Sequence, residues 1–418
     1  MLITRPVVLL LVIAWSSPAF AADTFAADTF AADNSPVLVK DIAVTPRANL
    51  TADDGTLTVH PKAALGVGYN SNIFAEAVAE NGDIYVRYLA GIQADWRLTP
   101  HHSVALNGEL EGLNYSKSGS DNANLVGGLL GGDYRWHEAN NEVRIHGGYA
   151  RFNDPLIESG EQILRQNIDG AAQVTWQGSE VRTVIDLGIT ALDYLEDGSG
   201  FTADSRDHTI SRLTGRMGFT TARQTFYYLM LSGDMMDYHE NLQFNDSTGI
   251  TAGLGAQVRL GERSTLTAEG GVVYRTYDDN FGGLNANDDK NVYAPYVSIA
   301  ARWPWESGSH VGLNIFSRID ESITANAAWV YGAQLDGRYR LLVRSGLFGS
   351  VGGYHSVDSG QGVGITEERD TVEIAAGIDH EITNGLVGRI KATYTDSTAK
   401  ISNEFSRYIV AFDLAVAF

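Results

Sequence analysis

Residues 83–98 decide the fold, and they read Asp83-Ile84-Tyr85-Val86-Arg87-Tyr88-Leu89-Ala90-Gly91-Ile92-Gln93-Ala94-Asp95-Trp96-Arg97-Leu98. Every second residue from Ile84 to Leu98 is apolar, whereas the alternate positions carry Arg87, Asp95 and Arg97. A period of two indicates a β-strand with one apolar and one polar face. Strands of soluble sheets average about five or six residues, whereas this run of about fifteen is long enough to cross a bilayer when tilted. The segment therefore predicts a membrane-spanning strand.

The same alternation continues along the chain, and short connections alternate with longer polar ones. This pattern predicts an all-β fold, a transmembrane antiparallel up-and-down β-barrel of eighteen strands, with sixteen as the alternative. The predicted strands are 58–70, 83–98, 103–115, 124–136, 142–152, 165–176, 180–192, 207–220, 224–238, 248–260, 264–277, 291–303, 309–319, 323–338, 345–355, 371–382, 386–394 and 406–418. The least regular stretch is 323–355, in which Leu341 to Arg344 form an unusually apolar turn.

The two ends of the chain predict export to a bacterial surface. Arg5 precedes an apolar run from Val7 to Trp15, and Ala19-Phe20-Ala21 fits signal peptidase. We therefore expect a signal peptide at 1–21, a periplasmic lead-in at 22–57 and the barrel at 58–418. The last strand alternates up to Phe418, and such a terminal Phe resembles the signal that barrel-assembly machinery reads. We expect the outer membrane of a Gram-negative bacterium, with both termini periplasmic.

Composition argues against an enzyme and against cofactor or nucleic-acid binding. The chain of 418 residues has no Cys and 45 Gly, and its mean hydropathy of −0.12 is compatible with strands in which only every second residue faces lipid. No His-x-x-x-His pair, phosphate-binding Gly loop or nucleophile motif occurs. His146 and His310 lie on polar strand faces without such a motif. We therefore expect no catalytic residue, no metal and no cofactor.

The net charge of −21 is concentrated in the predicted long loops, which hold 26 Asp and Glu against 5 Lys and Arg. Acidic loop tips are normally solvated, and at a cell surface they can meet lipopolysaccharide phosphates through divalent cations. Asp278-Asp279 and Asp288-Asp289 match no spaced calcium-loop motif. Outer-membrane lipid, lipopolysaccharide and the assembly machinery are the expected partners.

The polar strand faces supply candidate residues for the lining of a lumen. Mixed charge facing inward suits a water-filled or self-plugged barrel, and an ion-pair network that braces the wall is the alternative reading. The candidates are Arg87, Asp95, Arg97, Glu109, Glu111, Arg144, Asp169, Asp186, Arg212, Arg216, Arg259, Glu269, Arg275, Arg318, Asp336, Arg389, Lys391, Arg407 and Asp413. Inward tyrosines are also expected at Tyr85, Tyr115, Tyr194, Tyr238 and Tyr277.

The first strand and loop carry a family resemblance. The stretch Val59-His60-Pro61-Lys62-Ala63-Ala64-Leu65-Gly66-Val67-Gly68-Tyr69-Asn70-Ser71-Asn72-Ile73-Phe74 resembles the opening of the "Putative beta-barrel porin 2" family, in which Pro precedes an alternating strand that ends in Tyr-x-Ser/Asp-Asn-Ile-Phe. The resemblance implies an outer-membrane barrel associated with exopolysaccharide synthesis and secretion clusters. It thus implies polysaccharide export by passive diffusion, with periplasmic secretion components and the polysaccharide itself as partners.

Two other functions remain open on the sequence. A general or small-solute porin would have the same strand pattern, although porins usually carry a long inward-folding constriction loop and no loop here much exceeds about fifteen residues. A surface structural or adhesive barrel with a plugged lumen would also have it. Conductance distinguishes the two alternatives, since a plugged barrel passes no current.

Overall fold

The computed structural model describes residues 50–52, 56–73, 82–117, 125–155, 162–195, 203–221, 225–239, 245–261, 263–278, 289–306, 308–320, 322, 325–359, 366–400 and 404–417. The predicted signal peptide, most of the predicted lead-in and the predicted assembly signal Phe418 lie outside these residues.

Nearly all of the described chain is β-strand. The strands are β1 (Leu50–Ala52), β2 (Leu57–Asn70), β3 (Asp83–Thr99), β4 (His102–Tyr115), β5 (Leu125–Glu138), β6 (Asn141–Pro155), β7 (Gln162–Gln177), β8 (Val181–Tyr194), β9 (His208–Thr220), β10 (Phe226–Tyr238), β11 (Ser247–Arg259), β12 (Thr265–Tyr277), β13 (Asn291–Glu306), β14 (Ser309–Asp320), β15 (Ala328–Leu342), β16 (Ser345–Asp358), β17 (Glu368–Thr383), β18 (Leu386–Ala399) and β19 (Phe405–Ala417). One short helix, α1 (Ala203–Arg206), precedes β9. No helix in these ranges is long and apolar enough to cross a membrane.

The wall is a closed antiparallel barrel of eighteen strands. Each strand from β2 to β18 pairs with the next, and β19 pairs with β2 through Lys62–Asn70. The three-residue β1 pairs with Leu57 to Val59, next to the point where β19 ends. Closure leaves no edge strand along the wall, so its backbone N–H and C=O groups are paired across neighbouring strands. The predicted fold class and strand count are confirmed.

The two ends of the barrel differ in their connections. At the end that we call the short-turn end, strands are joined by turns of two to five residues, such as Asn384-Gly385. Gly385 has a φ of 83°, a left-handed value that glycine adopts without steric cost. At the opposite, long-loop end, the nine connections range from five residues at 400–404 to thirteen at 195–207 and 278–290.

Several strand boundaries differ from those predicted. The fourteenth predicted strand, 323–338, was placed too early, because β15 begins at Ala328 and runs to Leu342. Just before β15, Ala327 O still accepts a bond from the backbone N–H of Ser359 at 2.6 Å, but the Ala327 N–H donates to the Ser359 side chain, Oγ, at 3.0 Å. Strands β17 and β18 extend to Glu368 and Ala399, further toward the long-loop end than predicted. The predicted loops at 356–370 and 395–405 are correspondingly shorter.

The two faces of the wall differ in polarity. In β10, Leu229, Leu231 and Met235 are exposed while Ser232 and Asp234 are buried. Since a closed sheet has one outer and one inner surface, the exposed apolar side chains mark the outside. Exposed aromatic residues lie near both ends of that face. Near the short-turn end they include Trp96, Trp176, Phe219, Tyr227, Trp305 and Tyr339, and near the long-loop end Tyr69, Tyr149, Tyr293, Tyr331, Tyr394 and Tyr408.

Candidate functional site

All nineteen predicted lining residues lie on the strand face opposite the exposed apolar side chains, although their burial differs. The buried ones are Arg87, Glu109, Asp169, Arg216, Glu269, Arg275, Arg389, Lys391, Arg407 and Asp413. Those of intermediate exposure are Asp95, Glu111, Arg144, Asp186, Arg318 and Asp336, and the exposed ones are Arg97, Arg212 and Arg259. The predicted inward tyrosines, Tyr85, Tyr115, Tyr194, Tyr238 and Tyr277, are buried. That these residues line a conducting lumen stays a prediction.

Glu269 of β12 contacts side chains from three other strands. Its Oε1 accepts hydrogen bonds from Arg216 Nε at 2.9 Å and from the Tyr228 hydroxyl at 2.8 Å. Its Oε2 accepts one from the Tyr296 hydroxyl at 2.8 Å. Arg216 also reaches Asp186 Oδ2 at 2.7 Å. The carboxylate therefore ties β9, β10 and β13 to β12, and its buried charge is both paired and hydrogen-bonded.

Inward glycines make room for this arrangement. A Cβ on Gly255 of β11 would overlap the ring of Tyr228, which lies across that strand on its way to Glu269. Around the Tyr228 ring pack Val184, Phe226 and Met230, so the polar group sits beside an apolar patch. This part of the wall is therefore densely filled.

His146 of β6 lies between two carboxylates of the neighbouring strands. Its Nδ1 is 3.3 Å from Asp133 Oδ2, and its Nε2 is 2.9 Å from Asp169 Oδ2. Both ring nitrogens therefore lie within ion-pair distance of a carboxylate oxygen. The group braces β5, β6 and β7.

A further charged group lies where the first and last wall strands meet. Asp413 of β19 faces Arg389 across one strand pair and Gly66 across the other. Arg87 of β3 follows Gly66 in the same row and donates from Nε to Glu111 Oε1 at 2.6 Å. Asp413 is 1% exposed. Opposite charges thus lie on the two sides of the seam between β19 and β2 that closes the barrel.

At the long-loop end, Asp207 precedes β9 and accepts a hydrogen bond from the backbone N–H of Tyr194 at 2.7 Å. Burial raises the pKa of Asp207 to about 6; the Tyr194 bond opposes this rise and the Asp193 carboxyl reinforces it. Asp207 of this connection therefore interacts with a second carboxyl group, Asp193 at the end of β8.

Sequence reasoning missed several interior partners. Lys62 contacts Glu109, Asp234 contacts Arg275, and Arg338 reaches Asp379 at 2.7 Å. Asp133, which faces His146, was missed as well. The alternation of side chains along a strand could have placed these residues on the inner face. Lys62, for example, lies on the face opposite the exposed Leu65 and Val67. Their partners could not be identified in this way, because pairing depends on which strands are neighbours.

Among the residues that the structure describes, no group of three or more His, Cys, Asp or Glu side chains is placed to hold a metal ion. The chemistry on the inner face is instead that of hydrogen bonding and ion pairing between charged and aromatic side chains. Such a surface can contact hydrophilic molecules.

A closed antiparallel barrel with an apolar outer face, two aromatic belts and a polar interior defines a porin-type outer-membrane β-barrel. The chain matches the family described as "Putative beta-barrel porin 2" over residues 52–418, and it belongs to that family. The resemblance seen in the first hairpin is confirmed.

One solved structure agrees at the level of the fold. OpdK of Pseudomonas aeruginosa, solved with vanillate, is 12% identical, with a TM-score of 0.50 over 86% of this chain and 99% of its own. The outer membrane protein OpdK of the same organism, in another crystal structure, is 12% identical with a TM-score of 0.48 over the same shares of the two chains. A search among curated proteins gave no significant match.

Proposed function

We propose that this barrel is a passive outer-membrane conduit for a hydrophilic polysaccharide. The observation that carries the proposal is a series of ion pairs within the wall, such as Arg216 with Glu269, Arg338 with Asp379 and Arg87 with Glu111. Within each ion pair the two charges largely cancel, so the electric field in the lumen is small, while the polar atoms of the wall can still form hydrogen bonds. A hydroxyl-rich chain can exchange hydrogen bonds with such a wall without being held tightly, and permeation requires binding that is weak enough to release.

Interior tyrosines support a sugar polymer over simple ions. Tyr296 and Tyr354 are partly exposed on the inner face. Their ring faces are apolar and complement the apolar faces of sugar rings, while the Tyr296 hydroxyl is held by Glu269. The nearly balanced charge of the wall favours a neutral or weakly charged polymer.

The proposal includes an orientation. The short-turn end and both termini face the periplasm, where secretion components deliver the polymer, and the acidic long-loop end faces outward beside lipopolysaccharide. The alternation of short and long connections motivates this assignment, because outer-membrane barrels have short periplasmic turns and longer extracellular loops. Protease added to intact cells should cut an inserted site in the 278–290 connection and spare one in the Asn384-Gly385 turn. The reverse pattern contradicts the orientation.

Gene deletion in the host tests the cargo. Loss of the barrel should lower the amount of secreted and surface polysaccharide, and the intact gene should restore it. An unchanged amount contradicts export of a polysaccharide. If deletion instead slows growth on a small hydrophilic nutrient, the barrel is a small-solute porin.

Electrical recording tests conduction itself. Purified protein in a planar bilayer should give steady ion channels whose current is transiently blocked by the host polysaccharide. A barrel without conductance would be plugged and structural. No connection between wall strands exceeds 13 residues, so we expect no large constriction loop to hold the lumen closed.

A further inference from the structure

Three rows across the inner wall share one arrangement, in which two opposite charges flank a glycine. In the first row, Lys62 of β2, Gly91 of β3 and Glu109 of β4 stand in direct register. Lys62 Nζ contacts Glu109 Oε1 across the intervening strand. A Cβ on Gly91 would lie 2.9 Å from Lys62 Cε and 3.0 Å from Glu109 Cγ. The ion pair therefore rests directly on the glycine.

The second row repeats the arrangement near the long-loop end. Asp234 of β10, Gly249 of β11 and Arg275 of β12 are in register, and Arg275 Nη2 contacts Asp234 Oδ2. A Cβ on Gly249 would lie 2.7 Å from Asp234 Oδ1 and 3.1 Å from Arg275 Nη2. The strands and the direction of the charges differ from those of the first row, but the glycine again lies beneath the pair.

The third row crosses the seam, where Asp413, Gly66 and Arg87 are in register. A Cβ on Gly66 would overlap Asp413 Oδ1. A related case occurs on β16, although its arginine is offset by two residues along β15. There a Cβ on Gly346 would lie 2.9 Å from Arg338 Nη2 and 3.0 Å from Asp379 Oδ1.

Geometry explains why glycine is needed at these positions. Side chains on second-neighbour strands start about 9.6 Å apart, twice the strand spacing. Two long side chains can close that gap only by lying across the middle strand. Any side chain on that strand would lift the pair away from the wall and into the lumen.

We infer that Gly91, Gly249 and Gly346 are determinants of lumen width, because they let ion pairs lie flat on the wall. An ion pair that lies flat on the wall keeps its charged groups out of the path of a passing molecule. It also holds the two opposite charges close together, so that their electric fields cancel. The inference rests on the proposed function as a conduit, since it assigns these glycines a role in permeation.

Alanine substitutions in planar bilayers test this role. Gly91→Ala, Gly249→Ala and Gly346→Ala should each lower single-channel conductance relative to wild type. Gly188→Ala is the matched control, because Gly188 also lies on the inner face of its strand and a Cβ there would meet nothing within 4 Å. Its conductance should equal that of wild type. The inference is overturned if the three variants conduct like Gly188→Ala.

A double-mutant cycle separates a flat ion pair from a general defect of the wall. In a background with Lys62→Ser and Glu109→Ser, the two long side chains over residue 91 are gone and only the backbone oxygen of Gly108, at 3.2 Å, stays close to the new methyl group. Gly91→Ala should therefore change conductance much less in this background than in wild type. An equal loss of conductance in both backgrounds contradicts the inference.

The unfolding free energy in detergent provides a second readout for an alanine variant that does not insert into the bilayer. The effect of Gly91→Ala on this free energy should depend on whether Lys62 and Glu109 are present. Additive effects of the glycine and ion-pair substitutions would overturn the inference. Absence of current in wild-type protein would count against the conduit proposal alone, and this unfolding cycle would still decide the role of the glycines.

Discussion

Glu269 shows how single residues stabilise the inner wall, because one carboxylate accepts bonds from Arg216, Tyr228 and Tyr296. Glu269→Gln keeps the size of the side chain but removes its charge and turns one acceptor into a donor. The variant should lose about 2 kcal/mol of unfolding free energy, since hydrogen bonds to buried charged groups contribute about 1.5–3 kcal/mol. Denaturant titration of the lipid-embedded barrel measures the loss.

The exposed Glu138, beside a short turn, provides the matched control. Glu138→Gln makes the same chemical change where water solvates the side chain, so its unfolding free energy should stay near that of wild type. Equal losses of unfolding free energy for the two substitutions would show that the contacts of Glu269 do not stabilise the barrel.

Asp207 makes one long connection sensitive to pH. Its pKa in the folded protein is about 6, above the ordinary value of 3.8, and burial is the main cause. The folded state therefore binds the proton more tightly than the unfolded state, so the contribution of Asp207 to stability is present at low pH and is lost as pH rises from about 4 through 6. Hydrogen exchange of the segment 203–208 should accordingly become less protected, beyond its intrinsic pH dependence, between pH 4 and 7.

Asp207→Asn should flatten this pH profile, because the amide does not titrate. Asp246→Asn is the comparison, since Asp246 also accepts a hydrogen bond from a backbone N–H at a strand end, that of Tyr238 at 2.8 Å. That variant should leave the profile of 203–208 unchanged. A wild-type profile that is flat over the same pH range would contradict the assignment.

The sequence predicts which interior residues are charged but not which of them meet. Period two places Arg87, Glu109 and Asp413 on the inner face. Whether Glu109 pairs with Lys62 two strands away depends on register and on Gly91, a residue whose role is to leave space. A glycine gives no pattern signal of its own, so the contacts of the inner wall required the structure.

Among the elements, β15 shows where periodicity fails. The segment 323–327 contains apolar residues at alternate positions and was predicted to begin a strand. In the structure Ala327 instead donates to Ser359 Oγ, and Asn326 bonds to Asn245. Side chains from other connections thus compete with strand pairing, and a single-sequence pattern contains no information about them.

Strand β10 allows a test of which face meets lipid. Leu231 is 62% exposed at mid-strand, and Tyr227 on the same face lies near the short-turn end. Leu231→Lys should lower the unfolding free energy in lipid vesicles by about 2–4 kcal/mol, whereas Tyr227→Lys should cost about 0–1 kcal/mol, because a charge costs less near the membrane interface. Similar costs at both positions would place this face outside the bilayer.

At the scale of the whole molecule, the chain separates two electrostatic regions. The nine connections at the long-loop end contain 18 acidic and 4 basic residues, whereas Arg216, Arg338 and Arg87 of the inner wall are paired with carboxylates. The loops carry unbalanced charge in water, which salt screens, and the wall carries balanced charge. The permeation properties of the barrel should therefore reflect its mouth more than its interior.

Salt dependence distinguishes the mouth from the interior. Loop charges act across water over a Debye length of about 10 Å at 0.1 M salt and about 3 Å at 1 M. Zero-current potentials in KCl gradients should therefore show cation preference at low salt that fades at high salt. Replacing Asp278, Asp279, Asp288 and Asp289 by Asn should weaken the low-salt preference, and Glu269→Gln should not. A preference that survives both 1 M salt and the four Asn substitutions would locate ion selection within the wall, and the paired charges would then fail to cancel.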